Sequence, residues 1–183
     1  MSETRRFVVT GGPGAGKSTL IEALGEAGHA VFGEAGRAIM GAHRAIGGPA
    51  GHDGDRRLYA ELMLSWDMRS HAEAGGVGGT AFFDRGVPEL IGYFDLVGEP
   101  VPAHFRRAAA MLRYADPVFL APPWREIFVN DALRRQDFAE AVETARAVRS
   151  SYHAAGYRVV DLPLAEVASR VDFILREIAT AGR

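Results

Sequence analysis

The chain has 183 residues, 48% of them apolar, with a net charge of -2 and no cysteine. That length and apolar content suffice for a buried core without covalent staples, and the lack of cysteine excludes disulfides, thiolate metal sites and a thiol nucleophile. A near-neutral charge argues against binding polyanions by bulk positive potential, so no nucleic-acid partner is expected. Of its 21 basic Lys and Arg side chains only one is a lysine, Lys17.

The first residues, Met1 to Arg6, are polar and mixed in charge, and no run is apolar and long enough for a signal peptide or a membrane span. A cytoplasmic protein with no membrane partner is therefore expected. The apolar run Phe7-Val8-Val9-Thr10 reads as a strand. Beyond a glycine cluster, Leu20, Ile21 and Leu24 recur at helical spacing over Lys17 to Ala27, and Gly28 stops that helix. Ala30 to Phe32 predicts a second strand, and a helix follows from Gly36 to about Ile46.

Glycine and proline then break regular structure from Gly47 to Gly54, giving a loop with freedom to move. From Asp55 to about Ala74, the residues Leu58, Tyr59, Leu62, Met63 and Trp66 make an amphipathic helix. Gly75 to Gly79 reads as a connector, and Ala81-Phe82-Phe83 as a third strand ending at Asp84. Helices are expected from Pro88 to Gly98 and from Val101 to Tyr114. Val118 to Leu120 is a fourth strand, a long helix runs from about Asp131 to Ala155, and Tyr157 to Val160 is a fifth strand. Val167, Val171, Ile174, Leu175 and Ile178 place a closing helix. Short apolar strands alternating with helices predict an α/β fold with a parallel sheet covered on both faces.

Gly11-Gly12-Pro13-Gly14-Ala15-Gly16-Lys17-Ser18 satisfies G-x-x-x-x-G-K-[ST] between a predicted strand and a predicted helix, the context a phosphate loop requires. Its glycines let backbone N–H groups face a phosphate, and the start of the following helix adds positive potential. Gly11 to Thr19 are thus the expected nucleotide-binding residues, with Lys17 on the β- and γ-phosphates and Ser18 on Mg²⁺. A chain that writes every other basic position as Arg keeps its lysine where a compact ammonium fits. With that lysine committed, no N-K-x-D guanine motif is available, which favours ATP as the nucleotide.

Asp84 closes an apolar strand as a Walker B acid does, and is expected to hold Mg²⁺ together with Ser18. Arg85 follows it at the carboxyl edge of the sheet, where open α/β sheets bind ligands. Glu34 sits at the same edge after the second strand. It reads either as the base for an acceptor hydroxyl or as an acid at a helix start. Arg37, one turn on, either binds substrate or pairs with Glu34. Arg125, Arg134 and Arg135 fall where a lid would neutralise a transferring phosphoryl; the alternative is a solvated helix face. The six histidines, His29, His43, His52, His71, His104 and His153, lack metal-ligand spacing.

These blocks resemble a known group. Thr10 to Leu20, Glu34-Ala35-Gly36-Arg37-Ala38-Ile39, Phe82-Phe83-Asp84-Arg85-Gly86, Ala121 to Ile127 and Arg134-Arg135-Gln136-Asp137-Phe138 are similar to the small bacterial predicted ATPases, whose AAA-named P-loop domain is like the NadR kinase domain. The resemblance implies a three-layer P-loop NTPase with a five-stranded parallel sheet in the kinase-like order 2-3-1-4-5. It also implies one domain over residues 1–183, with a lid at about 123–137. Asp84 is followed by Arg85 where an AAA+ motor has an Asp-Glu pair, so the family name implies no mechanical role.

The functional expectation is an ATP- and Mg²⁺-dependent kinase acting on a nucleoside- or riboside-like hydroxyl. In it Lys17, Glu34, Asp84, Arg85 and Arg134 are catalytic, and the acceptor sits under the Gly47–Gly54 loop. The alternative is a stand-alone ATPase, or a nucleotide-dependent switch acting on a protein partner.

Overall fold

The computed structural model describes residues 3–128 and 137–180. Five parallel strands, β1 (Arg5–Gly11), β2 (Ala30–Phe32), β3 (Thr80–Asp84), β4 (Val118–Ala121) and β5 (Val159–Asp161), form one sheet in the order β2-β3-β1-β4-β5. This is the expected order. Parallel neighbours need crossovers, supplied by α1 (Lys17–Glu26), α2 (Ala35–Ala45), α3 (Arg56–Ala74), α4 (Pro88–Val97), α5 (Ala103–Met111), α6 (Phe138–Ala154) and α7 (Val167–Thr180).

The sheet separates two apolar layers. Phe7, Val9, Phe82 and Phe119 pack with α1 and α7, whereas Val8, Phe83, Val118 and Leu120 face Tyr114, Val148 and Tyr152. Strand alternation thus buries both faces of β1. A third cluster joins α3, α4 and α5 through Leu64, Phe94 and Phe105, and a fourth joins α2 to α3 through Ile39, Met40 and Tyr59.

Two helices differ from the sequence reading in their bounds. The helix expected from about Asp131 is described from Phe138, because Asp137 caps it: the Asp137 carboxylate accepts from the Glu140 N–H, and the Glu140 side chain accepts from the Asp137 N–H. Arg134 and Arg135, with most of the expected lid, lie outside the described residues. The helix expected over Val101 to Tyr114 runs only Ala103–Met111. Beyond it the Tyr114 N–H donates to the Tyr157 hydroxyl at 3.0 Å and the Ala115 N–H to the Arg6 carbonyl at 2.6 Å, which draws the chain onto the sheet.

The inner face of α3 is also not the one drawn from its apolar residues. Trp66 is 42% exposed, and the buried stripe is Tyr59, Ala60, Leu64, Ser70 and Ala74. Asp67 belongs to that inner stripe by helical spacing from Met63 and Ser70. The Gly47–Gly54 loop is pinned: the Gly48 N–H donates to the His43 carbonyl, Asp55 pairs back to Pro49, and Ala50 is buried.

Candidate functional site

Strand β1 delivers Gly11 to the carboxyl edge of the sheet, and residues 12–16 turn back over that edge into α1. Gly11, Gly14 and Gly16 take φ of 135°, 69° and 76°, values open to glycine and strained for other residues. A β-carbon on Gly11 would also run into the Ala121 carbonyl of β4, so this turn fits only by having no side chain there.

Lys17 is buried at 6% exposure, and its ammonium donates to the Gly12 carbonyl at 2.7 Å, which folds it over the loop. Ser18 and Thr19 are exposed at the start of α1. The Ser18 and Thr19 hydroxyls thus lie in the first turn of α1, beside Lys17 in sequence.

Opposite stands a charged cluster built from three elements. Asp84 ends β3, 6% exposed, and its Oδ1 is buried with no hydrogen-bond partner among the described residues. Burial raises its pKa and Lys17 opposes the rise, while Glu34 and Glu89 add to it.

Arg85 is the one non-glycine residue described at positive φ, 78°. Such a backbone persists only where its surroundings hold it. Here the Arg85 N–H donates to the Val9 carbonyl at 3.0 Å, Nη1 meets Glu89 Oε2 at 2.5 Å, and Nε lies 3.3 Å from Glu34 Oε1. Burial disfavours its charge, but Glu89, Glu34 and Asp84 together outweigh burial and raise its pKa.

Glu34 precedes α2 at the N-cap position, yet its side chain caps no backbone N–H. Its carboxylate meets Arg85, a partner that sequence reasoning did not offer it. Arg125 stacks 4.3 Å over the Phe138 ring.

Four residues of the site escaped sequence reasoning. Glu89, one turn after Arg85, is a buried hub that accepts from the Thr10 hydroxyl at 2.5 Å and the Tyr152 hydroxyl at 3.1 Å besides Arg85. Its i, i+4 relation to Arg85 was the available signal. Loss of water contact, with Glu89 and Glu34 adding to the effect against Arg85, pushes the Asp67 pKa up to about 8. Tyr93 keeps a buried hydroxyl with no hydrogen-bond partner among the described residues, and burial lifts it to about 12. Arg170, on α7, reaches the phosphate loop from below.

The raised Asp67 pKa has a direct consequence. Between about pH 4 and pH 8 the unfolded carboxyl ionises while the folded one keeps its proton, so folding stability falls as pH rises. Asp67→Asn is therefore expected to gain on the natural chain across that window, by about 2 kcal/mol at this partly exposed position. Urea unfolding at pH 5 and pH 8 checks it, and equal pH dependence in both proteins would contradict it.

A cavity of about 1110 Å³ opens beside the cluster. Pro13, Glu34, Arg85 and Glu89 line it, together with His52 and Asp53 of the Gly47–Gly54 loop and Tyr59 and Met63 of α3. The His52, Tyr59 and Tyr93 rings make one aromatic wall, with centroids 5.0 to 6.0 Å apart.

The chain thus joins a phosphate loop after the central strand β1, an acid at the end of its neighbour β3 and the 2-3-1-4-5 order. A family described as an AAA domain matches residues 6–170. The chain belongs to that family. It is a P-loop NTP-binding domain with the fold of nucleotide kinases.

No curated protein is similar enough to match this AAA-domain chain. Among solved structures it is similar to deoxyadenosine kinase from M. mycoides with dCMP and dCDP, with a TM-score of 0.66, 12% identity, and cover of 96% of this chain and 99% of that one. A NadR protein in complex with NR gives a TM-score of 0.70 at 18% identity over 94% of this chain, which spans only about half, 49%, of the NadR chain. Thymidylate kinase from Candida albicans gives 0.65 at 10% identity, covering 98% and 93%. At these identities the likeness establishes the fold. None of the described helices is long and apolar enough to cross a membrane.

Proposed function

We propose that this AAA-domain protein is an ATP- and Mg²⁺-dependent phosphotransferase acting on the hydroxyl of a nucleoside- or riboside-like acceptor, with the domain extending over residues 1–183. The observation that carries this reading is the Glu34–Arg85–Glu89 cluster, which lines the cavity together with Pro13 of the phosphate loop. Gly11 to Thr19 would cradle the triphosphate, with Lys17 on its β- and γ-phosphates.

Mg²⁺ fits the residues present: Asp84 offers a buried unpartnered oxygen and Ser18 an exposed hydroxyl, and one or two such ligands beside phosphate and water are what this ion takes. When bound it would offset charge on the phosphates. Glu34 would orient the acceptor hydroxyl and take its proton as the acceptor oxygen bonds to the γ-phosphorus and the bond to the β-phosphate oxygen breaks. Arg85, and Arg134 beyond the described residues, would stabilise the transferring group.

The cavity's own charges support an acceptor without a phosphate. Among its described lining residues six are carboxylates, Glu34, Asp53, Glu89, Asp137, Glu140 and Glu143, against three guanidiniums, Arg44, Arg56 and Arg85. A phosphomonoester would meet a net negative surface, whereas a planar ring would find the aromatic wall and the unpartnered Tyr93 hydroxyl. The pinned Gly47–Gly54 loop gives the switch reading less to stand on.

A panel of nucleosides, ribosides and their monophosphates, assayed for acceptor-dependent ADP release, tests this. Stimulation by an unphosphorylated acceptor is expected. ADP release that no acceptor stimulates would overturn the kinase reading, and stimulation confined to monophosphates would overturn the charge argument.

A further inference from the structure

Arg170 is 2% exposed and ranks among the largest fully buried side chains of the protein. Among the described residues no carboxylate pairs with it. Its Nη1 donates to the Ala15 carbonyl at 2.9 Å, its Nε donates to the Pro163 carbonyl at 2.9 Å, and its Nη2 has no partner among the described residues. The guanidinium lies 5.0 Å from the Trp124 ring centroid. Two carbonyls and an aromatic face are a poor exchange for the water a guanidinium gives up, so an apolar side chain of similar length would serve the core at least as well.

What this arrangement does hold is one peptide of the phosphate loop. In a trans peptide the C=O and the following N–H point to opposite sides of the chain. Anchoring the Ala15 carbonyl outward, toward α7, therefore aims the Gly16 N–H inward, toward the concavity of the loop. Gly16, on the N–H side of this peptide, holds φ 76°, and glycine imposes little barrier to other values. The loop sequence alone thus leaves the Ala15–Gly16 peptide free to flip, and a flipped peptide would present a carbonyl to a phosphate.

We propose that Arg170 is a positioning residue of the nucleotide site, locking the Ala15–Gly16 peptide in the orientation that offers the Gly16 N–H to the nucleotide phosphates. Through Pro163 and Trp124 it also ties the loop to the segments that follow β5 and β4. The inference rests on the reading of residues 11–19 as a nucleotide site.

The test compares the natural chain with Arg170→Met and Arg170→Lys, measuring thermal midpoint, affinity for a fluorescent ATP analogue with Mg²⁺, and the Gly16 amide resonance with and without ATP. Arg170→Met is expected to keep or raise the thermal midpoint while losing about 10- to 100-fold in affinity, the effect of one or two charge-assisted hydrogen bonds. The Gly16 amide should shift strongly on ATP addition in the natural chain and little in the variant. Arg170→Lys, which keeps the charge but not the fork, should lose less affinity at an unchanged midpoint, and it carries the test if the methionine variant does not fold.

Variants that fold and bind the ATP analogue as the natural chain does, with the same Gly16 shift, would overturn the proposal and leave the nucleotide site standing. Failure of the natural chain itself to bind would remove the nucleotide-site reading, and the proposal with it.

Discussion

Lys17→Met is expected to abolish measurable phosphoryl transfer, lowering turnover by at least about 10³-fold and weakening ATP binding, with little change in thermal midpoint. The ammonium is buried over the loop and bonded to the Gly12 carbonyl at 2.7 Å, so in the free protein it is stored on the backbone it would leave to meet a phosphate. Lys17→Arg is not expected to rescue. A planar five-donor fork is bulkier than the ammonium, and this chain uses arginine at every other basic position. Titration with a fluorescent ATP analogue and a coupled ADP assay measure both effects, and near-natural affinity in Lys17→Met would contradict the assignment.

Arg85→Met is expected to be the most destabilising single change in the site, by about 3–5 kcal/mol, because it strands two nearly buried carboxylates, Glu34 and Glu89. The strained backbone at φ 78° would lose the contacts that hold it as well. Adding Glu34→Gln and Glu89→Gln to Arg85→Met should recover part of the lost stability, since the uncompensated charge is then gone, while transfer activity stays absent. Chemical unfolding of the single and combined variants reads this. An Arg85→Met protein as stable as the natural one would mean that the cluster is not held by charge.

The phosphate loop was legible because glycine spacing, the lysine and the strand-to-helix context all lie within a dozen residues. The strand order followed from a family resemblance, and the sheet bears it out. Pairing across the molecule was harder to read. Glu34 could be placed at the sheet edge, but its contact with Arg85 depends on how β2 and β3 lie side by side.

Arg170 shows the limit most plainly. It shares a helical stripe with Val167, Val171, Ile174 and Ile178, but its charge breaks the apolar pattern by which a core face is read. Asp67 escaped on the same ground. Polar residues on a buried face break local rules, and here they lie beside the phosphate loop and the charged cluster. The long helix was misplaced at its start because Asp137 and Glu140 form a capping box, a signal present in the sequence but overridden by apparent continuity.

The central claim, that residues 11–19 bind the phosphates of ATP with Lys17 at their centre, meets its most direct test in a single labelling experiment. An amine-reactive acyl-phosphate derivative of ATP is incubated with the protein, and the modified peptide is mapped by mass spectrometry with and without excess ATP and Mg²⁺. Modification of Lys17, suppressed by ATP, is the predicted result; Lys17 modification that ATP fails to suppress would contradict the account.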